Sequence, residues 1–112
     1  MCLFCKIIAR EIPSEILFEN DHVLAFKDVR PVAPVHALVI PKKHIGGIHD
    51  AARGDAEMLG EVMLAARDVA EKLGLANEGY RLVVNNGANA GQSVFHLHVH
   101  VLGGRSLAWP PG

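Results

Sequence analysis

Cysteine is scarce in this chain: only Cys2 and Cys5 are present. Two residues cannot build a disulfide framework, and their spacing suits metal or redox chemistry better. Long apolar runs are missing as well. None approaches the roughly 18 to 20 residues that a membrane-crossing helix needs, and residues 1–13 lack a basic start followed by a long apolar stretch. A soluble, cytoplasmic protein is therefore expected. Nor is there an excess of charge of one sign. A formal net charge of -1 makes neither nucleic acid nor an anionic membrane the main partner, which leaves a small ligand. No repeat, low-complexity tract or Ser/Gly linker divides the chain, so residues 1–112 read as a single domain. What is present is a 50% hydrophobic, 21% charged composition, that of a globular protein. A domain this short is only moderately supplied with core, so a dimer interface or a bound metal would add stability.

Residues 4–10 suit a short helix, ended ahead of Pro13 because the residue before a proline is pushed out of the α region. Ile16–Glu19 and Val23–Lys27 read as two strands joined across Asn20-Asp21-His22, residue types that tolerate tight turns. Residues 36–40 form a third apolar strand between Pro34 and Pro41. Over residues 55–73, Leu59, Val62, Met63, Ala66, Val69, Ala70 and Leu73 recur at helical spacing, and Gly74 is placed to stop the helix. Residues 80–85 and 94–102 alternate or run apolar as strands, separated by an Asn/Gly-rich stretch. The prediction is an α+β fold: a five-stranded, mainly antiparallel sheet with one long and one short helix.

Chemistry concentrates in Phe95-His96-Leu97-His98-Val99-His100-Val101-Leu102. On a strand, His96, His98 and His100 share one face while Leu97, Val99 and Val101 enter the core. An imidazole titrates near neutrality, so one ring can be a neutral nucleophile while another carries a proton. Three exposed histidines without a role would be an unusual cluster. A zinc ion held by histidines two apart is the sharper rival. Against a hydrolytic zinc, the preceding loop offers Asn85, Asn86, Asn89, Gln92 and Ser93 but no carboxylate to activate water. Neutral donors suit an anionic oxygen better, and the glycines of residues 85–93 let backbone N–H groups approach a phosphate. A nucleophilic nitrogen beside phosphate donors is what nucleophilic phosphoryl chemistry requires.

His96-Leu97-His98-Val99-His100-Val101-Leu102, preceded by Gly91-Gln92-Ser93, resembles the alternating signature of the histidine triad (HIT) superfamily. The resemblance spans nearly the whole chain. Phe4-Cys5-Lys6-Ile7-Ile8, Ala25-Phe26-Lys27-Asp28-Val29 and the run from His36 through Val39-Ile40-Pro41-Lys42-Lys43-His44-Ile45 look like histidine-triad nucleotide-binding proteins, the Hint branch. So does the ending, Leu102-Gly103-Gly104-Arg105 with Trp109-Pro110-Pro111-Gly112. That ending favours purine nucleoside phosphoramidases over hydrolases of dinucleoside polyphosphates.

The resemblance implies that His98 is the nucleophile, with His100 beside it and His36 supporting the same site. Asn85, Gly91, Gln92 and Ser93 would hold the phosphate, and Asp28 and the Val29 backbone would meet the ribose hydroxyls. Leu3, Phe4, Ile7, Phe26 and Val29 would line a slot for the purine of an AMP- or GMP-like nucleotide. The expected reaction runs in two steps through a nucleotidyl-histidine and requires no cofactor. It needs a neutral His98 whose second ring nitrogen donates to a fixed acceptor. Hydrolysis or nucleotidyl transfer on dinucleoside polyphosphates, and non-catalytic nucleotide binding, are the alternatives. Some bacterial members are similar to this chain in carrying Cys2, Cys5, His44 and His96, which would make a closed structural zinc site. The family's homodimers imply a sheet joined across a two-fold axis through the long helix and a strand, with Trp109 near the neighbouring subunit.

Overall fold

The computed structural model describes residues 2–112. In chain order they form α1 (Leu3–Ile8), β1 (Ile16–Glu19), β2 (Val23–Lys27), β3 (Val35–Pro41), α2 (Ala56–Lys72), β4 (Arg81–Val83) and β5 (Val99–Gly103), with short 3₁₀ turns in the connections. The strands make one sheet in the order β1-β2-β3-β5-β4, and every neighbouring pair is antiparallel. The α+β expectation, with one long and one short helix, is met.

Period-two alternation sorts the side chains of this sheet between two packed faces. Val23 and Ala25 of β2, Ala37 and Val39 of β3, and Val99 and Val101 of β5 pack against Val62, Ala65, Ala66, Val69 and Ala70 of α2. Those five helix positions fall on one stripe at the helical repeat, and three of them are alanine, which lets the helix lie close to the sheet. The opposite face carries Leu24, Phe26, Leu38 and Ile40, covered by Phe4 and Ile7 of α1. Because β2 and β3 are covered on both sides, they read as continuous apolar runs.

The helix ends have local causes. Gly74, at φ +78°, closes α2. Its N–H bonds to the Glu71 carbonyl while the Leu75 N–H reaches Ala70, satisfying carbonyls left over by the last turn. The short helix stops by the same device, earlier than Pro13 would require. Arg10 takes φ +62°, Glu11 N–H returns to Lys6, and the Arg10 guanidinium is held by Glu19.

The last strand departs from expectation. Of residues 94–102, only those from Val99 onward pair in the sheet, so His100 alone of the alternating histidines lies on a strand. Residues 94–98 bond to loops instead: the Leu97 N–H goes to the Ile45 carbonyl at 2.8 Å, and the Val94 carbonyl takes a proton from the Gln92 side chain at 3.1 Å. The fourth strand is likewise shorter than residues 80–85.

Candidate active site

The face of the sheet opposite α2 holds a cavity of about 730 Å³. Alternation in β3 and β5 places His36 and Leu38, and His100 and Leu102, on its floor. Helix α1 supplies Leu3, Phe4 and Ile7 as one wall, and the chain leaving β2 supplies Asp28 and Val29. Phe26, Asn85, Ser93 and His98, also named from the sequence, line it as well.

Donor and acceptor chemistry fixes the ring tautomers. His98 Nδ1 lies 2.7 Å from the backbone oxygen of His96. A carbonyl only accepts, so Nδ1 carries the proton and Nε2 keeps a free lone pair. The Phe4 ring meets His98 edge-on, with centroids 5.2 Å apart. His36 has the opposite arrangement. Its Nδ1 accepts the Val32 N–H at 3.1 Å, so its proton sits on Nε2, which is 2.9 Å from His100 Nδ1 and 3.3 Å from Asp28 Oδ2. His100 therefore accepts at Nδ1 and presents an Nε2–H. Burial, with charge on His98 and His36 adding to it, pushes His100 down to about 4. Burial also lowers His36, against the pull of Asp28. At neutral pH both rings are uncharged.

Gly91 and Gln92 have a different part from the one expected. Neither lines the cavity. The Gly91 N–H bonds to Ala88 and the Gln92 N–H to Gly87, so neither is available to a phosphate. The buried Gln92 amide accepts from the Gly87 N–H and donates to the carbonyls of Gly46, each at 2.8 Å, and Val94. It is a strut that ties residues 87–92 to the segment after β3. Gly91, at φ +87°, allows the chain to turn. Asn85 and Ser93 remain as the loop's side chains toward the cavity.

Sequence reasoning missed Ile12, Pro13, Ser14, Lys27, Arg30, Val32, Leu38, Val83, Val94 and Leu102 as cavity residues. For Leu38 and Leu102 a signal existed, since each lies two positions from a site histidine on the same strand. The others arrive through loops and pairing, which periodicity does not encode.

A second cluster adjoins the cavity. Cys2 Sγ lies 3.4 Å and Cys5 Sγ 3.6 Å from His96 Nδ1, Cys5 Sγ is 3.3 Å from His44 Nδ1, and the two Nδ1 atoms are 3.1 Å apart. A tetrahedral ion with ordinary Zn–S and Zn–N bonds separates its ligand atoms by roughly 3.3 to 3.8 Å. His96 passes a stricter test. Its Nε2 lies 2.8 Å from the Pro41 carbonyl and must donate, which leaves Nδ1 bare and facing the two sulfurs. The four residues can hold a metal ion. His22 and His49 stand outside both clusters.

The HIT-domain profile matches residues 9–107. The chain belongs to the HIT-domain family. An uncharacterized HIT-like protein of Synechocystis sp. is 54% identical over 110 residues, covering 98% of this chain and 96% of that protein. A HIT family hydrolase of Legionella pneumophila Philadelphia 1 superposes with a TM-score of 0.97 at 50% identity over the full length of both chains. The histidine triad nucleotide-binding protein of Candida albicans superposes with a TM-score of 0.85 at 33% identity, covering 98% of this chain and 83% of that one. The two packed faces, the sheet order and the cavity beneath α1 thus belong to a HIT domain. Among its described residues no helix is long and apolar enough to cross a membrane.

Proposed function

We propose that this HIT domain is a purine nucleoside phosphoramidase, cleaving the P–N bond of a nucleoside 5′-phosphoramidate. The supporting observation is a cavity lined by His98, Asp28 and the apolar residues of α1, with His98 Nδ1 bonded to the His96 carbonyl so that the neutral ring offers Nε2 as the nucleophile. In the first step His98 Nε2 attacks phosphorus and the P–N bond breaks, the departing amine taking the Nε2 proton of His100 in its imidazolium form and leaving that ring neutral. The nucleotidyl-imidazole is then cationic, and the His96 carbonyl stabilises it through Nδ1–H. In the second step water attacks phosphorus and passes a proton back to His100, the Nε2–P bond breaks with its electron pair returning to His98, and the nucleoside monophosphate leaves. The negative charge of a bound phosphate raises His100 from its empty-site value, which suits it to donate a proton. Asn85 and Ser93 hold phosphate oxygens. Asp28 accepts the ribose hydroxyls, and Phe4, Ile7, Phe26 and Val29 hold the base.

The metal cluster is read as a structural zinc site, closed by four protein ligands. Its free thiols suit the reducing cytoplasm. A homodimer is proposed through β4, which ends the sheet with an unpaired edge, together with exposed Met63 and Leu64 of α2. Light scattering on a sizing column tests that assembly, and an all-monomer result at micromolar concentration counts against it.

The deciding experiment is hydrolysis of an adenosine 5′-phosphoramidate carrying a fluorogenic amine, by the native chain and by His98→Ala. Turnover lost in the variant is the expected result. Native protein that binds AMP without turnover would instead favour polyphosphate substrates or binding alone, and equal turnover by both proteins would remove His98 from the role of nucleophile.

A further inference from the structure

We infer that metal at the Cys2–Cys5–His44–His96 cluster and nucleotide in the adjoining cavity are energetically coupled, with His96 as the positioning residue between them. The inference rests on the zinc and nucleotide readings above. Two independent connections carry it. The first runs through His96. Its ring is clamped at both nitrogens, Nε2 by the Pro41 carbonyl at 2.8 Å and Nδ1 by the cluster. Its own carbonyl accepts the hydrogen bond that His98 Nδ1–H donates, at 2.7 Å. The peptide that bears this carbonyl is also held by the Leu97 N–H on the Ile45 carbonyl, next to ligand His44, so the clamped ring and this bond together set the aim of His98.

The second connection is α1. The helix has only six residues, far short of what holds a helix together in water by itself. Cys2 caps it, accepting the Cys5 N–H at 3.2 Å, and both cysteines belong to the metal cluster. Between them Phe4 turns toward the cavity, edge-on to Phe26 at 5.5 Å and to His98 at 5.2 Å. Metal binding therefore orders the same helix that a base packs against. Whichever ligand arrives first meets the cost of ordering α1, and the second binds tighter for it. Linkage requires the effect to be equal in both directions.

The test measures zinc affinity of the full chain by competition with a chromophoric chelator, with and without saturating AMP, and AMP affinity with and without zinc. The expected result is a reciprocal tightening by the same factor, roughly 5- to 50-fold. Nitrogen-edited NMR of the native protein then follows His98. Chelation should broaden its Nδ1–H signal and the Phe4 ring signals while those of Val62 and Val69 on α2 stay sharp. Cys5→Ser at saturating zinc should lower kcat, through His98, and raise KM, through Phe4. Zinc bound with an affinity indifferent to AMP overturns the coupling and leaves the zinc reading intact. No zinc bound at all overturns both, as does a failure to bind AMP for the nucleotide reading. A His98 signal unchanged by chelation removes His96 from its positioning role.

Discussion

His36 Nε2 lies 2.9 Å from His100 Nδ1 and 3.3 Å from Asp28 Oδ2, and the Val32 N–H donating to His36 Nδ1 puts the neutral ring's one proton on Nε2. One backbone amide thereby determines the protonation pattern of two rings. His100 is obliged to offer an N–H to the cavity, while His98, anchored to a carbonyl, offers a lone pair.

Removing the nucleophile should separate chemistry from binding. His98→Ala should cut turnover more than about 1,000-fold, since loss of a covalent nucleophile removes the path rather than a contact, while AMP binding by calorimetry stays within a few-fold. Quenching the native reaction in alkaline denaturant, which spares the acid-labile P–N bond, followed by peptide mass spectrometry should find a nucleotidyl group on His98. A quenched native enzyme with no adduct under burst conditions would argue for direct attack by water.

Acid should destabilise the nucleotide-free protein through half-buried His100 and buried His36. His100 titrates near 4 in the folded state and near 6.5 when unfolded. Between those values the unfolded chain binds more protons, so stability rises with pH across the window and falls as pH drops through it. His36 is shifted the same way. Melting of chelated protein should show Tm decreasing from pH 7 to pH 4.5, and His100→Asn should flatten the slope. Chelation matters because acid also releases metal. A Tm independent of pH in the chelated native chain would contradict the depressed histidines.

The strut residue should matter without touching substrate. Gln92→Ala leaves the Gly87 N–H and the carbonyls of Gly46 and Val94 without this partner, at a cost of about 1 to 3 kcal/mol per buried group left unsatisfied. Urea melts should show that loss, and kcat/KM should fall because Asn85 and Ser93 flank the loosened loop. Normal stability with reduced activity would point to a direct contact with phosphate instead.

Two packing positions calibrate the fold. Leu24, wholly buried beneath α1, should cost about 2 to 5 kcal/mol on replacement by Ala. Gly74→Ala places a Cβ at φ +78° and should cost about 1 to 2 kcal/mol although the space around it is open. A neutral Gly74→Ala by denaturant melt would show that the turn relaxes to another conformation.

Much of the fold was legible because its signals are local. The hairpin of β1 and β2, the helical stripe on α2 and its glycine stop each depend on residues within a few positions of one another. The site was legible as an inventory: His36 and the triad could be named, with His98 singled out by resemblance to the HIT superfamily. Their arrangement was less so. Alternation from His96 to His100 suggested one strand, yet the chain bends at residues 94–96 and the Leu97 N–H goes to the Ile45 carbonyl, so that His96 turns to the cysteines while His98 and His100 face the cavity.

What the sequence determined by itself is therefore the set of elements and the chemistry available to them: period-two and helical patterning sort apolar from polar faces wherever the chain lies. Only the tertiary structure decided which ring nitrogens carry protons, that Gln92 braces a loop, and that Arg10 rather than Pro13 ends α1. Each of these depends on a hydrogen-bond or charge partner whose direction in space is set by packing. His96, 94 residues from Cys2, meets it only because the sheet and α1 bring both ends of the chain to one side of the cavity.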